Sequence, residues 1–239
     1  MRITAWNCNM QFRNKYKYIK HLNYDIGVIS ECESLDKILK ASSDIDYKYA
    51  IWIGDNPNKG LGIFSFSDIN LKLAQWYCSD FKYIVPVFLE KNNERTILLF
   101  AVWACNPKTS KYRYIEQVFQ SINYYSRFIS NENIIMIGDF NSNKIWDKEH
   151  LKNGSHSMVV DFLKAKKIQS SYHLFYNETE GKESIPTFFL QKNINKKYHI
   201  DYCFISDNLN SGLSDMQIGN SKFYLQYSDH MPITVDFKV

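Results

Sequence analysis

The sequence predicts a mixed α/β domain with one or two sizeable sheets. Three observations carry this. Short runs rich in Ile, Val, Phe, Tyr and Trp recur from one end of the chain to the other. Only a few intervening segments show helical periodicity. The runs within residues 49–104 follow one another without crossovers, which favours antiparallel or mixed pairing over continuous βαβ winding. The 239 residues show no repeat and no linker, so the expectation is one domain over 1–239.

The expected strands are Arg2–Trp6, Ile26–Ser30, Tyr49–Ile53, Gly62–Phe66, Tyr83–Leu89, Thr96–Ala104, Ile134–Ile137, Thr187–Leu190, Ile200–Ile205 and Ile233–Phe237. Tyr112–Ile129 is the clearest helix. Ile115, Val118, Phe119, Ile122, Tyr125 and Ile129 recur there at helical spacing. Met158–Lys166 is a second, with Ser155 or Ser157 as its cap. Lys15–Leu22 and Leu35–Leu39 are short candidates.

Composition narrows the class. Hydrophobic residues make up 45% and aromatics 16%, ample for a packed core, and low Gly and Pro counts exclude a disordered or collagen-like chain. A net charge of +4 permits an anionic partner and is far from histone-like. Cys8, Cys32, Cys78, Cys105 and Cys203 are odd in number and contain no CxxC pair, so they read as reduced thiols rather than a disulfide or zinc framework. No apolar run approaches the roughly 18–20 residues of a membrane span. The start MRITAWNCN does not read as a signal peptide, so the expectation is a cytoplasmic protein without membrane partners.

The strongest signal is where polar residues fall. Arg2–Trp6 runs into Asn7, Asp25–Ser30 into Glu31, Thr96–Trp103 into Asn106, and Ile134–Gly138 into Asp139 and Asn141. His199 and Asp201 open one strand, while Ser228, Asp229 and His230 precede the last. Taken singly, each is an ordinary turn or strand terminus. Together they suit a single rim of the sheets. Carboxylates and amide oxygens are hard ligands that suit Mg²⁺, with Mn²⁺ as a substitute. Carboxylates and an imidazole also supply a base and a donor for attack of water on a phosphoester.

Trp6-Asn7, Glu31, Gly138-Asp139-Phe140-Asn141, Ile200-Asp201-Tyr202 and Ser228-Asp229-His230 followed by Pro232-Ile233 occur in this order. In this the chain resembles the endonuclease/exonuclease/phosphatase superfamily, the exonuclease III, AP endonuclease and DNase I-like proteins. The resemblance spans residues 3–237. It implies a four-layer α/β sandwich, two mixed sheets face to face with helices outside, and a Mg²⁺-dependent phosphodiesterase or phosphatase. Glu31 resembles the metal ligand, with Asn7 beside it. Asp139 resembles the residue that orients or deprotonates water, and Asn141 a donor to the phosphate. His230 resembles the imidazole on the phosphate, Asp201 the carboxylate that holds it, and Asp229 a further metal-side or base-orienting carboxylate. One departure is clear. Where exonuclease III-like members carry a Tyr three residues before the Asn matched by Asn106, this chain has Trp103. An indole N–H donates a hydrogen bond but exchanges no proton. Leaving-group protonation then falls to water or His199.

The expected substrate is nucleic acid. Thr187-Phe188-Phe189 followed by His199-Ile200-Asp201-Tyr202 resembles the pocket region of AP endonucleases, with Phe188 as the lining aromatic. The segments Lys15–Tyr18, Lys108–Arg113 and Gln191–Tyr198, the last with Lys192 and Lys197, mix cations with aromatics that suit phosphate contacts and base stacking. A phosphatase or phosphodiesterase on an inositol phosphate, nucleotide or phospholipid head group is the alternative, and a catalytically silent binding domain a second one.

Overall fold

The computed structural model describes every residue except 42–43, 93, 107–110, 130–132, 150–152 and 239. Its strands are β1 (Arg2–Asn7), β2 (Ile26–Cys32), β3 (Tyr49–Asn56), β4 (Lys59–Ser65), β5 (Asn70–Leu73), β6 (Ile84–Lys91), β7 (Glu94–Trp103), β8 (Ile134–Asp139), β9 (Ile168–Ser170), β10 (Phe188–Phe189), β11 (Lys197–Tyr198), β12 (Asp201–Ser206), β13 (Leu213–Ile218) and β14 (Ile233–Phe237). One six-stranded sheet has the order β13-β14-β1-β2-β4-β3, the other β5-β6-β7-β8-β12-β9, and β10 pairs with β11. Each large sheet is mixed. β1 runs parallel to β2 and antiparallel to β14, while β7 runs parallel to β8 and β8 antiparallel to β12.

The unbroken apolar runs follow from burial on both faces. In β8, Ile135 and Ile137 enter the core between the sheets, whereas Ile134 and Met136 enter the core beneath the helices. β7 alternates in the same way, with Leu99, Ala101 and Trp103 inward and Leu98, Phe100 and Val102 outward. The helices Ile115–Tyr125 and His156–Ala165 cover the outer face of the second sheet through Ile115, Val118, Ile122, Val159 and Leu163. Phe12, Tyr16, Ile19 and Tyr224 cover Trp6 and Ile29 on the first. The result is the expected four-layer sandwich.

Local differences have local causes. The Tyr112–Ile129 periodicity yields a helix only over Ile115–Tyr125. Lys15–Leu22 divides into the end of a short helix and two 3₁₀ turns, Tyr16–Tyr18 and Lys20–Leu22. Ser155 is the cap of the His156–Ala165 helix, its Oγ accepting the Met158 N–H at 3.3 Å. β10 occupies only two residues of the run Thr187–Leu190, because Leu190 starts a 3₁₀ turn. The loop Lys108–Arg113 lies partly outside the described residues. No described helix is long and apolar enough to cross a membrane.

Strand direction places the site. The C-terminal ends of β1, β2, β7 and β8 and the N-terminal ends of β12 and β14 share one rim, because β12 and β14 run antiparallel to their neighbours β8 and β1. Asp201 sits directly opposite Asp139, and Trp103 opposite Asp139 on the other side.

Candidate active site

Asn7, Trp103, Asp139 and Asp201 carry the same parity along their strands as the residues that fill the inter-sheet core. All four therefore point into the mouth of the layer between the sheets. Gly138 makes this close approach possible. Its φ is +145°, and a Cβ there would lie 2.0 Å from the Val102 carbonyl oxygen of β7.

Asp139 ends β8 and is 1% exposed. Its Oδ1 accepts the Asn141 backbone N–H at 2.8 Å, closing a turn in which Asn141 takes φ +47°. Its Oδ2 accepts from Asn7 Nδ2 at 3.0 Å and lies 4.0 Å from His230 Nε2. Burial raises the Asp139 carboxyl above the ordinary range and the Asp201 charge adds to this, against the opposing pull of His230 and the Asn7 amide.

His230 is buried, with Nδ1 at 3.0 and 3.1 Å from the two Asp201 oxygens. Burial alone would lower its pKa, but the Asp201 and Asp139 charges outweigh it and hold the imidazole at about 10. Backbone pins fix this loop. Ser228 Oγ donates to the Asn7 carbonyl and accepts the His230 N–H, and Trp6 Nε1 donates to the His230 carbonyl. Thr187 Oγ1 accepts from the N–H groups of Ile200 and Asp201 at 2.9 and 3.0 Å, holding the start of β12. Asp139, Asp201 and His230 form one compact buried cluster of ligating atoms.

Glu31 stands at a bulge of β2 with φ +58°, an uncommon conformation for a non-glycine residue. The bulge lifts its carboxylate out of the ladder toward the rim. There it pairs with Lys59 Nζ at 3.1 Å, and Lys59 also lies 5.5 Å over the Trp103 ring. Glu31, Asp55, Lys59, Tyr83, Trp103, Cys105, Asn106 and Asn141 line a cavity of about 610 Å³. A cavity of about 740 Å³ at the opposite rim, lined by Lys91, Arg95 and Lys238 among others, is larger but lies away from the buried carboxylate–imidazole cluster, whereas the smaller one is bordered by Trp103, paired with Asp139 across the strands, and by Asn141, whose N–H binds Asp139. The chemistry therefore points to the smaller one.

Several expectations meet the geometry differently. The Asn7 amide faces the carboxylates with its nitrogen, 3.0 Å from Asp139 and 3.4 Å from Glu31, while its oxygen accepts the Asn9 N–H. In this arrangement the amide nitrogen, not the oxygen, faces the two carboxylates. His199 is 3% exposed, bonded through Nδ1 to the Ile185 carbonyl and packed on Tyr172 and Tyr202. Those contacts make it a core residue. Phe188 does reach the site, its ring 4.6 Å from that of His230. Lys192 and Lys197 are exposed, Lys192 bonding to the Gln226 carbonyl, and neither lines the cavity. Asp229 is half-buried beside His230, outside the compact cluster. The sequence reading missed Lys59, Tyr83 and Cys105, because a cavity wall drawn from a hairpin and strand starts leaves no spacing signal.

No protein-family model and no curated protein matches the chain. Solved structures do. A 3′-5′ exonuclease, NExo, from Neisseria meningitidis matches with a TM-score of 0.70 over 100% of both chains, at 20% identity. The chain has the exonuclease III and DNase I-like fold. The endonuclease domain of TRAS1, a telomere-specific non-LTR retrotransposon, matches with a TM-score of 0.69 over 99% of this chain and 97% of that one, at 14% identity. An AP endonuclease from Archaeoglobus fulgidus matches with a TM-score of 0.65 over 100% of both, at 16% identity.

Proposed function

We propose that this chain is a Mg²⁺-dependent hydrolase of nucleic-acid phosphodiesters. The observation that carries the reading is the buried Asp139–His230–Asp201 cluster at the mouth of the inter-sheet layer, on a fold shared with nucleases.

The residues present fit a hard divalent ion. Glu31 offers carboxylate oxygens beside the cavity and is already paired with a cation, the Lys59 ammonium. The nearby Cys105 thiol is pushed up to about 12 by burial, so it stays protonated and offers no thiolate. Glu31 would hold the ion. Bound there, the ion neutralises charge on the phosphoryl group.

The protein's own groups supply the rest. Asp139, with its basicity raised by burial, takes the proton of the attacking water. Asn7 and the Asn141 N–H fix the orientation of that carboxylate. Asp201 holds Nδ1 of the imidazolium, leaving Nε2–H of His230 to donate to a phosphoryl oxygen. Trp103 closes the wall against Tyr83, 4.6 Å between ring centroids, without joining proton transfer. Leaving-group protonation falls to water, since His199 lies in the core.

A second reading, removal of a terminal phosphate from a DNA end, is supported by a match to a structure described as the 3′ phosphatase NExo bound to product DNA hairpin, with a TM-score of 0.71 at 18% identity. One panel separates the readings. Supercoiled plasmid, single-stranded DNA, RNA, an abasic-site duplex, 3′-phosphorylated DNA, inositol phosphates and sphingomyelin are incubated with Mg²⁺ or EDTA. The proposal expects Mg²⁺-dependent cleavage of a nucleic acid. Turnover of inositol phosphates or sphingomyelin alone overturns the substrate class.

A further inference from the structure

The turn that carries Asp139 and Asn141 continues into Ser142 and Asn143, and these face a different cluster. Ser142 Oγ lies 2.9 Å from Nδ1 of His156, whose Nε2 is 3.3 Å from Glu180 Oε2. Asn143 Nδ2 donates to Glu183 Oε2 at 3.0 Å. The other oxygen of each glutamate turns to His173. Glu180 Oε1 lies 3.2 Å from Nδ1 and Glu183 Oε1 3.2 Å from Nε2. One ligating atom from each of His173, Glu180 and Glu183 falls within 4.8 Å of the other two.

The charge balance is unusual. The Glu183 side chain is 3% exposed and that of Glu180 22%, yet among the described residues only histidines pair with either. Lys164 lines the neighbouring cavity with Glu180 and His173 but forms no ion pair with the glutamates. Glu183, the buried one, otherwise accepts from neutral groups, the Asn143 amide and the Gly181 N–H, and a buried carboxylate favours a partner of opposite charge. A further imidazole borders the group. His199 Nε2 is buried without a hydrogen-bond partner among the described residues, and the His199 carbonyl shares the Asn143 amide with Glu183.

We propose that His173, Glu180 and Glu183 form a second divalent-cation site, of the zinc class, where the helix Ser171–Tyr176 meets the loop 177–186. An imidazole with two carboxylates suits a borderline first-row ion better than Mg²⁺. The outer contacts are those that orient ligands: His156 on Glu180, and Asn143 on Glu183. A cavity of about 200 Å³ lined by His173 and Glu180 provides the entry. The bound ion ties the loop leading to Thr187 and Phe188 against the turn that carries Asp139, and so braces the catalytic rim from outside. This site is independent of the substrate assigned to the rim.

The test uses full-length protein stripped by a chelator and titrated with Co²⁺, read by visible absorption and bound equivalents. Wild type, Glu31→Gln, His173→Ala and the isosteric Glu180→Gln are compared, with circular dichroism confirming folding. Visible d–d bands and about one tightly held equivalent are expected in wild type and Glu31→Gln, and are lost in His173→Ala and Glu180→Gln. Zn²⁺ should raise the melting temperature in the first two proteins only. No Co²⁺ uptake by the Glu31→Gln protein overturns the site. So does uptake that is undiminished in both cluster variants. Stability that ignores Co²⁺ and Zn²⁺ in the wild type also overturns it. Absence of Mg²⁺-dependent cleavage in the wild type, with Co²⁺ binding intact, rejects only the nuclease reading.

Discussion

His230 faces two carboxylates at once: Asp201 grips its Nδ1 at 3.0 Å, and Asp139 waits 4.0 Å from its Nε2. The first contact favours the charged ring, and the second places a carboxylate beside its other nitrogen. Asp201→Asn removes the charge and keeps the volume. Activity should fall on the order of 10²–10⁴-fold, as for loss of a positioned acid–base group. The His230 titration, followed by NMR, should move down from about 10. Because that folded-state pKa is raised, the pair stabilises the fold fully below the ordinary histidine pKa. The contribution is lost as pH rises toward 10. The alkaline limb of a stability profile should therefore flatten in the variant.

Asp139 has the opposite sign. Its carboxyl is raised mainly by burial, so the ionised form costs folding free energy above the ordinary carboxylate pKa, and the cost is complete above the raised one. Asp139→Asn in EDTA should raise the melting temperature at neutral pH while abolishing cleavage. A melting temperature that falls by several degrees would contradict this reading of the site as strained for function.

Lys59 pairs at 3.1 Å with Glu31, the carboxylate proposed to hold the ion. The ion pair is partly exposed, with side-chain accessibilities of 40% and 19%. Exposed pairs contribute about 0.2–1 kcal/mol. Lys59→Met should therefore tighten Mn²⁺ binding by up to about fivefold in calorimetry without substrate. Weaker Mn²⁺ binding would mean that Lys59 assists the ion.

Gly138 tolerates no side chain. A Cβ would meet the Val102 carbonyl at 2.0 Å in a backbone with φ +145°. Gly138→Ala should destabilise the fold by more than about 3 kcal/mol in urea unfolding, placing it in the exceptional tail of point mutations. An unchanged midpoint would show that β7 and β8 separate easily.

Much of this was readable because the central strands are buried on both faces. β1, β2, β7, β8 and β12 announce themselves as apolar runs, and their polar ends name Asn7, Glu31, Asp139 and Asp201. The edge strands β5 and β13 and the short β9 do not, because alternate residues such as Lys72, Ser214 and Gln217 face solvent. Lys59 was hidden in a polar hairpin, and Thr187 and Ser228 act through backbone contacts that no residue type reveals. His199 misled for a related reason. It lies two residues from Asp201, but the chain enters β12 only at Asp201, and the imidazole turns into the core. His156, His173, Glu180 and Glu183 come from two helices and a loop, and only the fold brings them together.

The most direct test of the central claim is single-turnover cleavage of end-labelled DNA and RNA by wild type and His230→Asn, each with Mg²⁺ and with EDTA. The account predicts strand cleavage or end trimming by wild type with Mg²⁺ only, reduced on the order of 10²-fold or more in the variant. Cleavage that persists in EDTA, or that His230→Asn leaves unchanged, would contradict it.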